Sequence, residues 1–314
     1  MATEHSPDDD LVLPFQIDGA HVRGRLIRLG PSINAVLNRH NYPPVVSNLL
    51  GEVMLLTALI GSGLKLRGRY IMQVKGTGPI AMLVAEYTAA STIRGYAAYH
   101  PDALTKHTDT NPELAPFALL EGGVLAMTID QGPDSEPYQG IVTIEGNSLS
   151  ECAMAYLHQS DQIRSSVNTV LAECYVRDEE GKPVKTWRGG GIMLQRIGQS
   201  GEEAKRVIDN PDDQDNWLRA EMLMKTAEAH ELTDPELAPE TLLYRLFHED
   251  GVRVYEARPV EFGCSCDPAR IEAILKMHEP VELEEMVDGD RIWAQCQFCG
   301  EFYDFEPKDF GVVL

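Results

Sequence analysis

Basic residues are scarce in this chain: 27 lysines and arginines stand against 49 acidic residues over 314 positions, a formal net charge of −22. A surface so acidic repels a phosphate backbone and an anionic bilayer, so neither nucleic acid nor a membrane is expected as a partner. The motifs of common enzyme chemistry are missing as well. There is no HExxH, no dinucleotide fingerprint and no convincing nucleophile–base pair, so no enzymatic activity is expected. The triplet Gly189-Gly190-Gly191 lacks the lysine and Ser/Thr of a phosphate-binding loop, and reads as a bulge or a close approach within a sheet. No apolar export segment opens the chain, whose first ten residues read as a flexible tail. One stretch, Val45 to Leu64, nears the length of a membrane span. It carries Asn48 and Glu52, and a carboxylate at mid-bilayer is costly, so it reads as a helix buried in a soluble core. Cysteine is also rare, with six in all. In the cytosolic setting expected here thiols stay reduced, and clustered cysteines point to metal or redox chemistry rather than structural disulfides.

What is present is a globular composition, 43% hydrophobic and 24% charged, long enough for one large domain and a smaller module. Residues 11–205 read as a mixed α/β body. Strands are expected at Val22 to Leu29, at Arg69 to Lys75 paired with Ile80 to Tyr87, and at Ile93 to Tyr99. Further strands are expected at Gly123 to Asp130, Tyr138 to Glu145, Thr169 to Val176, Val184 to Trp187 and Ile192 to Arg196, with a turn at Glu179-Glu180-Gly181-Lys182. A short helix follows Pro31, and another is capped by Ser148 or Ser150. Strands arriving in runs rather than alternating with helices favour an α+β class. Residues 206–258 change character: an acidic break over 210–215, a helix from Trp217 to His230, and a helix from Pro239 to Asp250 whose Leu242, Leu243, Leu246 and Phe247 form an apolar stripe. Taken alone, this region reads as a hinge or an ordinary helical connection.

The last 56 positions, 259–314, hold the two close cysteine pairs, Cys264-Ser265-Cys266 and Cys296-Gln297-Phe298-Cys299, with 29 residues between them. Four such thiolates can surround one ion tetrahedrally, and zinc is the usual occupant. Asp267-Pro268 starts a helix, Arg291 to Cys296 and Glu301 to Phe305 can pair, and Gly300 frees the turn between them. Thirteen acidic residues against four basic ones exclude a nucleic-acid-binding zinc module. A static zinc staple and a redox switch both remain open on these residues. His278 is expected to face solvent rather than join a complete four-sulfur set, and Cys152 and Cys174 are expected to be buried small residues.

The C-x-C and C-x-x-C pairs about thirty residues apart resemble the heat-shock protein 33 family. So do RGRLIRLGPSINAVLNRHNYPPVVSNLLGEVMLLTALI, QVKGTGPIAMLVAE and RGGGIMLQ in the body. The resemblance implies an N-terminal chaperone core (11–205), a metastable helical linker (206–258) and a C-terminal zinc module (259–314). It implies an ATP-independent holdase that binds unfolding proteins under oxidative stress, inactive while reduced and zinc-bound. Cys264, Cys266, Cys296 and Cys299 would be the zinc ligands, and would form the disulfides Cys264–Cys266 and Cys296–Cys299 on activation. Zinc would then leave, the linker would unfold, and the molecule would form a homodimer. The stripe Leu242, Leu243, Leu246 and Phe247 becomes the candidate client-binding surface. The alternative is a cytosolic protein of another activity with a static structural zinc module.

Overall fold

The computed structural model describes residues 9–110, 115–161, 163–177, 180–197 and 211–312. Most of the tail over residues 1–10, the start of the middle region (206–210) and Glu179 of the expected turn lie outside them. The chain folds as two compact units divided between Phe262 and Gly263.

In the first unit, β1 (Leu11–Ile17) and β2 (Val22–Leu29) lead into the helices Pro31–Arg39 and Pro44–Gly61. A meander of β3 (Arg69–Lys75), β4 (Ile80–Thr88) and β5 (Thr92–Tyr99) follows, then the helix Pro101–Thr110. Next come β6 (Val124–Asp130), β7 (Tyr138–Thr143), the helix Leu149–Asp161 and a long hairpin of β8 (Ser165–Arg177) and β9 (Pro183–Arg196). Three helices, Pro211–Lys225, Ala229–Thr233 and Pro239–Phe247, precede the short strands β10 (Val252–Val254), β11 (Arg258–Pro259) and β12 (Glu261–Phe262). One sheet runs β10-β1-β2-β9-β8, with β11 also on β1; the other runs β12-β5-β4-β3-β6-β7. The α+β class expected from the sequence is the class observed.

The helix Pro44–Gly61 lies between the sheets and touches strands of both. That position explains a composition apolar on nearly every side, since all its residues but Pro44, Val45, Asn48 and Glu52 are buried. It is the one described helix long and apolar enough to cross a bilayer, and 78% of it is buried inside the protein. Its single carboxylate, Glu52, is held by the backbone N–H and hydroxyl of Ser150 at 3.0 and 2.7 Å. Burial pushes the Glu52 carboxyl above its ordinary value despite these bonds. The folded protein then binds this proton more tightly than the unfolded chain does. Its stabilising contribution is therefore full below the unfolded value of 4.5 and is lost as pH rises through the higher folded value. Glu52→Gln keeps an acceptor for Ser150, and denaturant midpoints measured from pH 4 to 7 are expected to show a flatter slope than in the parent.

The middle helices are packed rather than free. Leu242, Leu243, Leu246 and Phe247 are buried in one cluster with Leu13, Phe15, Leu26, Leu194 and Trp217. Phe247 stacks on Phe15 at 5.8 Å between ring centroids. The expected helix from Trp217 to His230 is split, ending at Lys225 and restarting at Ala229, because Glu228 and Glu231 form a capping box there. The helix from Pro239 stays α-helical only to Phe247 and tightens to a 3₁₀ turn over His248–Asp250 before Gly251. Polar side chains from the sheet reach the backbone of this region. Arg28, 1% exposed, donates to the carbonyls of Leu232 at 3.3 Å, Glu231 at 3.0 Å and Leu237. Arg188 donates to Thr233 O at 2.9 Å, and the Asn168 amide to Met224 O and Ala227 O at 3.3 and 3.4 Å.

The glycine triplet sits inside β9, which runs without a break where two strands were expected. A Cβ on Gly190 would lie 2.1 Å from the carbonyl oxygen of Leu232, so only glycine lets the middle region settle on the strand. Strand β1, the helix Pro101–Thr110 and the three strands over 252–262 were not foreseen.

Candidate metal centre

The second unit is built from the helices Pro268–Leu275 and Pro280–Glu284 and a three-stranded sheet of β13 (Val287–Asp288), β14 (Arg291–Gln295) and β15 (Phe302–Phe305). Its apolar cluster is small: Leu275, Leu283, Ile292, Phe310 and Val312 are buried, with Ile271, Val287, Ala294 and Phe305 packed around them. A Cys-Ser-Cys segment is held at one side by its own helix. Asp267 caps that helix by accepting from Arg270 N at 2.8 Å, and the Arg270 guanidinium returns to the Ser265 carbonyl and hydroxyl, both at 2.8 Å. The second pair sits on the turn between β14 and β15. Cys296 N donates to Glu301 O at 2.9 Å and Gly300 N to Cys296 O at 2.8 Å, with Gly300 at φ +70. A left-handed backbone there suits glycine and curls the turn so that both thiols point inward.

These two devices bring the four sulfurs of Cys264, Cys266, Cys296 and Cys299 within 4.8 Å of one another. Cys264 lies 3.7 Å from Cys296 and Cys266 lies 3.2 Å from Cys299. A tetrahedron with metal–sulfur bonds of about 2.3 Å has sulfur–sulfur edges of about 3.8 Å. Four soft donors at these separations fit a divalent ion such as zinc. Burial pushes the Cys266 and Cys299 thiols up, and the neighbouring sulfurs add to the shift at Cys299. Protons and a metal ion compete for the same lone pairs, so these thiols give up protons when a dication arrives. Tyr303 donates its hydroxyl to Cys266 Sγ at 3.2 Å, which raises the phenol and places a donor beside that sulfur. Reading the sequence did not single out Tyr303, although its place four residues after Cys299 on the paired strand was visible.

Over residues 10–306 the chain matches the family model described as Hsp33 protein. The chain belongs to the Hsp33 family. A 33 kDa chaperonin of Caulobacter vibrioides is 39% identical over 97% of this chain and 99% of its own length. A 33 kDa chaperonin of Pseudomonas putida is 34% identical over 98% of this chain and 94% of its own. The crystal structure of the 33 kDa chaperonin (heat shock protein 33 homolog) from Thermotoga maritima superposes with a TM-score of 0.73, at 22% identity, covering 96% of both chains, and supports the fold alone. Hsp33 proteins carry the name of chaperonins and not of enzymes.

The remaining candidates of this Hsp33 chain lie elsewhere. Leu242, Leu243, Leu246 and Phe247 sit in the first unit, buried. His278 is exposed, 3.2 Å from Glu282, and is not part of the sulfur cluster. Cys152 is buried with its thiol 3.0 Å from Glu145 O, whereas Cys174 is only half-buried on β8.

Proposed function

We propose that this protein is a redox-regulated, ATP-independent holdase that binds unfolding client proteins under oxidative stress in the cytoplasm. The observation that carries the reading is the cluster of four sulfurs in a unit with so small an apolar core. When bound there, zinc keeps the thiolates together and contributes folding free energy, on the order of 10 kcal/mol or more. Oxidation pairs Cys264 with Cys266 and Cys296 with Cys299. Each closure forms one S–S bond: the two thiolates give up two electrons, which with two protons from solvent reduce one hydrogen peroxide to two waters. Four sulfurs held in two disulfides are poor ligands, so the second unit loses its support.

The segment just before that unit in the chain, residues 206–258, is the metastable linker of this reading. Its described helices cover the apolar face of β1, β2 and β9. Their release would bare Leu242, Leu243, Leu246 and Phe247 together with Phe15, Leu26 and Leu194, a continuous apolar surface for unfolded chains. Part of that surface is available for pairing two activated molecules as a homodimer.

The test compares suppression of aggregation of a heat-unfolded client by reduced and by peroxide-treated protein, with released zinc followed by a chromogenic chelator. Activity is expected only after treatment, together with about one zinc released per chain. Equal activity in both states, or zinc retained after peroxide, would leave the static-module reading instead. Peptide mapping of the oxidised protein checks the two disulfides, and any pairing across Cys264 and Cys296 would refute the assignment.

A further inference from the structure

A cleft of about 350 Å³ opens where the buried helix Pro44–Gly61 ends, with β4 on one side and β11 on the other. Ser62, Gly63 and Lys65 line it after the helix, Tyr87 and Ser91 from β4 and the turn that follows, and Arg258 from β11. No aspartate or glutamate is among its lining residues. In a chain of net charge −22, a wall with two cations and no carboxylate is a local reversal of sign.

A third cation stands behind that wall. Arg25 of β2 is 9% exposed, and a Cβ on Gly63 would fall 1.9 Å from its Nη2 and 2.1 Å from its Cζ. Glycine at that point therefore gives the guanidinium its place at the cleft. Nη1 donates to Leu59 O and to Gln195 Oε1, both at 3.2 Å. Nε and Nη2 have no acceptor among the described residues, and no carboxylate there forms an ion pair with Arg25, Lys65 or Arg258. Burial pushes the Arg25 guanidinium down to about 10, and the like charges of Arg23 and Arg258 add to that shift. Buried charges are ordinarily paired, so this one lacks its counter-charge. A hydroxyl completes the set: Tyr87 donates to Ser91 Oγ at 3.1 Å, which leaves the Ser91 proton for a further acceptor.

Donors and cations alone, with a guanidinium fork among them, match the oxygens of a tetrahedral dianion. The cleft is at the low end of small-molecule sites, roughly 300–1,000 Å³, with room beyond one phosphoryl group. At physiological salt the acidic residues farther than about 8 Å are screened, so a small anion feels this cluster rather than the net charge. A long polyanion still meets the rest of the surface.

We propose that this cleft binds a phosphoryl group, free or on a small organic ester, held by Arg25, Lys65 and Arg258 with the Ser91 hydroxyl donating to it. The site uses no cysteine and goes beyond the redox reading. Strand β11 joins β1 through only two residue pairs, so a ligand bridging Arg25 and Arg258 also ties the end of the middle region to its sheet.

The full chain, reduced and zinc-loaded, is titrated with inorganic phosphate and with ribose 5-phosphate by isothermal titration calorimetry, with ionic strength held constant by sodium chloride. Saturable binding at one site per chain is expected, and the tighter of the two ligands tells whether the group is taken free or as an ester. Lys65→Gln and Arg258→Gln are expected to weaken it about fivefold each. Both side chains are exposed and without an ion pair, so these variants keep their fold. Amide exchange over residues 61–66 and 256–260 should slow on saturation, while exchange in β7 should not. The double variant Cys296→Ser, Cys299→Ser, which has no zinc to lose, is expected to bind as the parent does. No binding of either ligand, parental affinity in both glutamine variants, or saturation without slower exchange in those segments would each overturn the proposal. So would loss of binding in the serine variant, since the titrant would then be acting on the metal. Oxidant plays no part, so failure of the redox reading would leave this result intact, and a working switch without phosphate binding would sink this inference alone.

Discussion

Replacing Cys296 and Cys299 together by serine is expected to unfold residues 263–312 while residues 9–262 stay folded. The first unit has two extended apolar clusters of its own, one around the helix Pro44–Gly61 and one under the middle helices. The second has five buried apolar side chains for about fifty residues, far too few to offset the ordering of their backbone. Loss of two of four ligands withdraws most of the zinc contribution, about 10 kcal/mol in small modules, which exceeds the whole stability expected of such a unit. Zinc content should fall from one per chain to near zero. Amide exchange at Ile292 and Phe310 should become as fast as in an unfolded chain, with the amides of β2 and β4 still protected. Continued protection at Ile292 would show that the unit holds without metal, and would remove the basis of the proposed switch.

Arg28→Met is expected to release the middle helices without any oxidant. Methionine keeps the stem of the side chain but leaves three carbonyls, the buried one of Leu232 and the half-buried ones of Glu231 and Leu237, without their charged donor. Each lost partner costs roughly 1–3 kcal/mol, so the variant loses several kcal/mol locally, comparable to the stability of a marginal helical segment. Limited proteolysis should cut within residues 211–250 of the reduced variant at concentrations that spare the parent, and suppression of client aggregation should appear before peroxide is added. A variant with unchanged cleavage would mean that apolar packing alone holds the region. Rapid cleavage without any gain in aggregation suppression would separate release of the helices from client binding.

Much of this was legible in the residues. Strands such as Val22–Leu29 and Arg69–Lys75 alternate cleanly or sit between strong turn signals, and Pro31 and Pro44 mark helix starts that any fold would respect. The cysteine cluster was legible because ligand spacing is local chemistry. What escaped was set by tertiary partners. Strand β1 sets Leu11, Leu13, Phe15 and Ile17 under the middle helices, but Pro14 in its middle and Val12, which joins the central core from the other face, mask that alternation. The strands over 252–262 are two or three residues long and exist only because β1 and β5 offer edges to them. Arg28 looked like one more basic residue in a strand; its three backbone partners lie more than 200 positions away. The two strands expected on either side of Gly189–Gly191 are one strand, and the close approach read at these glycines is the one observed, since they serve the neighbour that crosses them.

The way the middle region is moored has a kinetic consequence. Arg196 ends β9 and Val252 begins β10, and both strands belong to one sheet with β1 and β2 between them. Three strand spacings put these moorings about 15 Å apart. Whatever melts between them becomes a closed loop with both feet on the platform, not a dangling tail. Its return after reduction is a unimolecular search over a short radius, at an effective concentration in the millimolar range. Recovery of the resting state should therefore proceed at a rate independent of how dilute the protein is, and a bound client would be let go by the same strip of chain folding back into its own place.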